Sequence, residues 1–411
     1  MMFTGISRGR TGDQHLSGGL GPPARRIVSW CWAATAFTAP MNGLRLSKYM
    51  SLGDVLLVVA VAATLVARGP APDGIAARPY GPVLAGLAAI ALGGLVGSLV
   101  AGPYGPDIPG VARFVFTTAG SIAALILWAP SGRRLRWFCA TWVAGAVVSA
   151  LWAITFSTTV ASRPLGLASH PNNLGLTCLL AAGPALGLVL APSRVRRRGA
   201  LVAVGILLLG LAASGSRAAV IGACVMVPTV AALSSNLRLA LRATIAAVLL
   251  SLAVVVGVVH PSTDTGLGRV MGDRSTIESD AGRMEHLARS VDRVRSNPLT
   301  GEGFTRAGDA HNIYLQVLVA AGPLGLIGLV VAAGSILTAG LGRLRLRLPG
   351  DDRALLAGLT AGYAGYLVAS GFQNNLSQRY LWLYVAALVS LAASHARPAG
   401  PTLATLEDQP C

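Results

Sequence analysis

The sequence predicts an all-α protein, a polytopic transmembrane helical bundle of about twelve spans with one long extracytoplasmic loop carrying an interfacial helix. Three observations lead there. Only 12% of the 411 residues are charged and 53% are hydrophobic, whereas a soluble domain uses roughly a quarter charged residues to solvate its surface. Apolar runs of membrane-crossing length recur along the whole chain. The net charge of +17 is almost all arginine and falls in short clusters between those runs.

A hydrocarbon core of about 30 Å needs roughly 20 apolar residues per helix. Runs meeting that need cover 51–68, 81–101, 110–130, 137–157, 173–192, 238–259, 313–341, 353–372 and 378–395. Two shorter runs, 199–213 and 217–234, flank Ser214-Gly215-Ser216-Arg217, and residues 27–44 form a weaker further candidate. Clusters at Arg133, Arg134 and Arg136, at Arg194, Arg196, Arg197 and Arg198, and at Arg343, Arg345, Arg347 and Arg353 alternate with arginine-poor short loops. The positive-inside rule puts these clusters in the cytoplasm and the loops 102–109, 158–172, 260–312 and 373–377 outside. With twelve spans both termini are cytoplasmic. The start could instead be a signal-like extension ahead of Met41 or Met50.

The chain divides accordingly. Residues 1–26 form a basic cytoplasmic tail, 27–259 the first nine spans, 260–312 the long outer loop, 313–397 the last three spans, and 398–411 a polar cytoplasmic tail. The expected address is the cytoplasmic (inner) membrane. Arginine clusters of this kind are loop anchors and make no basic face interleaved with aromatics, so nucleic acid is not an expected partner. Cys31, Cys139, Cys178 and Cys224 lie in apolar runs, Cys411 is the last residue, and no CxxC pair occurs. Neither a disulfide nor a metal site is expected, and no cofactor.

The outer loop breaks the pattern. Residues 260–312 hold seven arginines and eight acids, and a loop so long usually has a function. Met284, Leu287, Val291 and Val294 recur at helical spacing behind a possible cap at Ser279 or Asp280, and Asn297-Pro298 ends the run. One apolar stripe suits a helix lying along the membrane surface.

A few polar residues at outer boundaries carry the candidate chemistry. Arg217 follows Ser-Gly-Ser at a junction between two short helices, where an ionisable group in the membrane suggests function by default; snorkelling is the competing reading. Arg283 lies in the first turn of the loop helix. His311 precedes a span, either as an interfacial capping residue or as a base whose ordinary pKa near 6.5 suits proton abstraction. Arg163, Asn172 and Asn312 are supporting candidates at the acceptor side; His260 and His286 read as surface residues. Arginines partner phosphate oxygens through paired hydrogen bonds. They suit a lipid diphosphate whose charge grows as a sugar–phosphate bond breaks, with His311 activating an acceptor hydroxyl from the other side and the anomeric carbon inverting.

Four segments in order resemble the O-antigen ligase and polymerase superfamily. They are Arg163 through Asn172, Ser214-Gly215-Ser216-Arg217, Asp280-Ala281-Gly282-Arg283, and Asn297-Pro298-Leu299-Thr300-Gly301-Glu302-Gly303 followed by His311-Asn312-Ile313-Tyr314-Leu315-Gln316 and Gly322-Pro323-Leu324-Gly325. His170 stands where that family usually has an apolar residue or Asn. The resemblance implies glycan transfer from undecaprenyl diphosphate to an acceptor glycan outside the membrane, as in O-antigen ligation or polysaccharide polymerisation for the cell envelope. It maps diphosphate binding to Arg217 and Arg283 and the essential histidine to His311. A polysaccharide or lipid transporter (flippase) and a non-catalytic scaffold are the other readings.

Overall fold

A computed structural model describes residues 22–47, 50–68, 80–100, 107–128, 132–156, 159–160, 163–191, 194–234, 238, 241–242, 245, 274–346, 348–374 and 376–394. Within them the regular elements are helices apart from one two-stranded hairpin. The helices are α1 (Pro22–Thr38), α2 (Leu52–Arg68), α3 (Gly81–Val100), α4 (Ile108–Val115), α5 (Ser121–Trp128), α6 (Gly132–Thr155), α7 (Pro171–Val189), α8 (Arg194–Ala213) and α9 (Arg217–Leu233). After them come α10 (Arg274–Ser296), α11 (Ile313–Leu344), α12 (Gly350–Ala369) and α13 (Arg379–Ser394). A π-turn over Phe116–Gly120 joins α4 to α5, making one span of 108–128. Among the described residues six helices are long and apolar enough to cross a membrane, and Leu52–Ala67, Arg217–Leu233 and Arg379–Ser394 are shorter apolar helices. The expected span 238–259 and the loop start at 260–273 lie outside the described residues, apart from four positions between 238 and 245.

Composition sets how these helices pack. Lipid is as apolar as leucine, so helices in a bilayer gain by close backbone approach at small residues rather than by hiding oil from water. The centre of the bundle follows that rule. A Cβ at Gly183 of α7 would stand 2.6 Å from the carbonyl oxygen of Gly358 on α12, so this crossing admits only glycine. Nearly all of α7 and of α13 is buried. The outer helices turn large apolar side chains outward, among them Val58 and Val66 of α2 and Leu201 and Val202 of α8. Such a surface is solvated by acyl chains and marks a multi-pass membrane protein.

The helix starts gather at one end of the bundle. Arg379, first residue of α13 and buried, pairs with Asp54 in the first turn of α2 and donates to Ser51 Oγ at 2.8 Å. Ser169, just ahead of α7, donates its backbone N–H to Asn42 Oδ1 at 2.8 Å, and Asn42 in turn donates to Gln378. At the far end Arg136 of α6 pairs with the buried Asp352 of α12.

Two boundaries differ from expectation. The first helix begins at Pro22, ahead of Ile27, so Arg25 and Arg26 lie inside it; proline suits a first helical turn because its missing N–H has no partner there anyway. The loop helix α10 begins at Arg274, which puts Ser279 and Asp280 inside the helix instead of at its cap. No proline interrupts 274–296, and extending a helix costs far less than starting one. Its C-terminal limit at Ser296, before Asn297-Pro298, is where the sequence put it.

Candidate functional site

The site is built from three junctions that each begin a helix. The first is the hairpin β1 (Thr159–Val160) paired antiparallel with β2 (Arg163–Pro164), leading to α7. Arg163 is buried, and its guanidinium does a structural task. Nε and Nη2 donate to the carbonyl oxygen of Ser214 at 2.9 and 2.8 Å, and Nη2 donates to Asn172 Oδ1 at 2.7 Å. One side chain thus ties the hairpin, the first turn of α7 and the Ser-Gly-Ser-Arg junction together. His170 caps α7, its Nδ1 accepting from the Asn172 N–H at 3.1 Å, with Pro171 at the first helical position.

The second junction is Ser214-Gly215-Ser216-Arg217. Gly215 has φ of 61°, turning the chain from α8 into α9. Ser216 caps α9 and accepts from the Ala219 N–H. Arg217 is therefore the first residue of α9 and half-buried. A cation opposes the helix dipole at an N-terminus, so this placement favours a bound anion. Both serines lie against Gly175 in the first turns of α7, which brings the starts of α7 and α9 side by side.

The third junction joins α10 to α11. His311 has φ of 45°, left-handed for a residue with a side chain, at a cost of about 1–2 kcal/mol. Such strain persists where surrounding structure over-determines it, and it clusters at functional positions. Asn312 follows in extended conformation, its Oδ1 accepting from the N–H groups of Tyr314 at 2.9 Å and Leu315 at 3.1 Å. That carboxamide oxygen caps α11 at the position next to His311.

The motif glycines explain how this junction is held. Pro323 has no N–H to give Val319, and Gly322, at φ 61° and ψ −165°, breaks α11 there. The Glu302 N–H bonds to the freed Val319 oxygen at 2.7 Å and the Gly303 N–H to Ala320 oxygen at 2.9 Å. The Asn297–Gly303 segment therefore docks in the helix break as an extra hydrogen-bonding partner. Phe304 then stacks on Phe114 with centroids 5.0 Å apart, and the Thr305 N–H bonds to Asp107 at 2.6 Å.

The ring of His286, expected at a plain surface, stands edge-on to His311 with centroids 5.0 Å apart at 74°. Arg289 lies 2.9 Å from His286 Nδ1. An arginine only donates, so Nδ1 is the acceptor in this contact. The sequence signal for His286 is its spacing, three residues after Arg283 and so on the same helix face. His170 was also undervalued. Its pKa is held below the usual histidine value, first by partial burial, then by the positive charge of Arg163, His311 and Arg283. The charges of Arg283 and His311 thus reach the α7 start. Arg163, His170 and Asn172 lie at the start of α7 with Arg217 at the adjoining start of α9, and His311, Asn312 and His286 lie together at the start of α11. Among the described residues no three His, Cys, Asp or Glu side chains come together.

Residues 202–330 match the family model described as O-Antigen ligase. That match supports the resemblance of this part of the chain to the O-antigen ligase/polymerase superfamily. The matched segment contains Arg217, Arg283, His286, His311 and the break of α11 at Gly322; Arg163 and His170 lie before it. The match supports a membrane glycan function of the O-antigen ligase or polymerase type, and that family implies lipid-linked glycan substrates in a membrane. Among curated proteins nothing matches the chain. A solved structure titled "Structural coordination of polymerization and crosslinking by a peptidoglycan synthase complex" shares 19% identity over 78% of this chain and 98% of that chain. Its TM-score is 0.46, a likeness too distant to carry an argument.

Proposed function

We propose that this O-antigen ligase-type protein transfers a glycan from undecaprenyl diphosphate to an acceptor glycan on the outer side of the cytoplasmic membrane, as a ligase or a polymerase. The observation that carries the reading is the placement of Arg217 at the start of α9, beside the start of α7, and of His311 at the strained turn into α11, with the charges of His311 and Arg283 both acting on His170 at the α7 start. The helix N-termini add positive potential where a diphosphate would sit.

In the proposed step the lipid tail lies in the bilayer and the diphosphate sits among Arg217 and Arg283. His311 removes the proton of an acceptor hydroxyl, the hydroxyl oxygen bonds to the anomeric carbon, and the bond from that carbon to the diphosphate oxygen breaks. The electron pair leaves with the undecaprenyl diphosphate, the configuration inverts, and the proton passes from His311 to solvent. Arginines stabilise the charge growing on the leaving group, so the proposed chemistry is metal-independent. A neutral His170 adds no further charge to the base beside it, leaving His311 free to take the proton. Arg163 and Asn172 hold the acceptor side of the site in place.

Sidedness is part of the proposal. The clusters at 133–136, 194–198 and 343–353 belong to the end of the bundle opposite the site, the cytoplasmic end by the positive-inside rule. Twelve spans with both termini inside complete it. A flippase would keep its polar groups near the midplane of the bilayer, whereas the candidates here lie at helix starts. The test is a reconstituted assay with undecaprenyl-diphosphate glycan and a candidate acceptor. Release of the lipid diphosphate should fall by about 100-fold or more in His311→Ala, the scale of general-base catalysis, and comparably in Arg217→Ala, with chelator having no effect. Wild-type turnover in both variants would sink the mechanism.

A further inference from the structure

The end of the bundle opposite the site carries a second polar arrangement. A cleft of about 280 Å³ between α1 and α6 is lined by Arg26, Ser29, Trp30, Arg134 and Trp137. The two indoles meet edge to face, centroids 5.7 Å apart at 82°. Trp30 stays 68% exposed and its neighbour Ile27 59%, so the wall opens toward the surface that acyl chains would cover.

Its depth follows from helix geometry. Ala153 of α6 lies against Gly166 in the loop before His170. Arg134 is nineteen residues earlier, which at 1.5 Å per residue is about 28 Å, close to one hydrocarbon thickness. The cleft is therefore at the interface of the leaflet opposite the site. Tryptophan prefers that depth, one face apolar and the N–H in the wet headgroup layer.

The charge is unbalanced. Arg26 and Arg134 sit near the N-termini of α1 and α6, where the dipoles are also positive, and neither helix has an acid in its first turn. Arg136 is neutralised by Asp352. Among the described residues neither Arg26 nor Arg134 makes an ion pair. Two exposed guanidiniums beside two positive helix ends ask for an anion with several oxygens, and the indole wall asks for apolar chain next to it.

We propose that this cleft is a binding site for an anionic phospholipid, its phosphodiester held by Arg26 and Arg134 and its upper acyl chain laid on Trp30 and Trp137. Basic pockets between spanning helices hold anionic headgroups by this chemistry. The site is independent of the transfer reaction.

Tryptophan quenching by lipids brominated high on the acyl chain tests it on the full chain in nanodiscs. The signal from this cleft is the difference between the protein and its Trp30→Phe variant. Brominated phosphatidylglycerol, diluted into phosphatidylcholine, should quench that difference several-fold more than brominated phosphatidylcholine at equal dilution. Arg26→Gln and Arg134→Gln should each cut the preference by roughly fivefold. Arg133→Gln, an equal charge change outside the lining, should leave it intact. Equal quenching by the two lipids, or equal loss in all three arginine variants, would overturn the site in favour of general surface charge. Full displacement by millimolar inorganic phosphate would overturn the lipid in favour of a small free anion; no displacement supports the lipid.

Discussion

His311 concentrates the consequences of single residues. Its left-handed backbone, the Asn312 cap behind it and the His286 ring beside it leave the imidazole little freedom. His286→Ala should remove the ring wall and lower kcat by about tenfold while leaving KM for the donor within twofold; the effect sizes follow from misplacing a catalytic group by a fraction of an ångström. His286→Phe keeps the ring and should restore most of the rate, which a steady-state comparison of the three proteins would reveal. His170 supports a prediction of another kind. Its folded pKa lies below the ordinary value, so the unfolded chain takes up this proton first as pH falls. The stability it contributes is complete above pH about 6.5 and is lost as pH drops through the histidine range. Thermal melting of the detergent-solubilised protein at pH 7.5 and 5.5 should therefore fall more for the wild type than for His170→Gln. Equal falls would mean that the burial and charge around His170 do not act on its titration.

Among elements, the broken helix α11 decides most. Its two halves meet at a glycine in a region closed to other residues, and a Cβ there would press into the carbonyl of Leu299. Gly322→Ala should destabilise the protein by roughly 1–3 kcal/mol and displace the Glu302 and Gly303 N–H groups from Val319 and Ala320. A lower melting temperature with transfer lost well below it is the expected outcome, since the docked segment leads directly to His311. Unchanged melting and activity would show that the break is not needed. The element α10 belongs to the same argument. It carries Arg283, His286 and Arg289 in successive turns, while Met284 and Leu287 remain exposed beside them. That arrangement suits a helix resting on the membrane surface with its charged side over the site.

For the whole molecule, sidedness is the property to test. Ala288 of α10 is exposed, so Ala288→Cys in a background lacking Cys31, Cys139, Cys178, Cys224 and Cys411 should react with an impermeant thiol reagent from the outer side. Labelling only from the cytoplasmic side would invert the topology. The membrane character was legible in composition and in the spacing of apolar runs, because a bilayer fixes span length and admits little charge. Arg217, Arg283 and His311 were legible as motif positions, because their glycine and serine neighbours mark junctions where a chain must turn. Only the tertiary structure could decide which of these junctions meet. It showed that Arg163 is spent on tying two of them together, that Asn312 caps a helix, and that the His286 ring stands against His311. The start of α10 also escaped the pattern, since no local breaker stops a helix at Ser279. Local chemistry determines where a helix begins and which side chains lipid tolerates. Contacts between residues far apart in the chain depend on how glycine-lined backbones close against one another, and no periodicity along one segment records that.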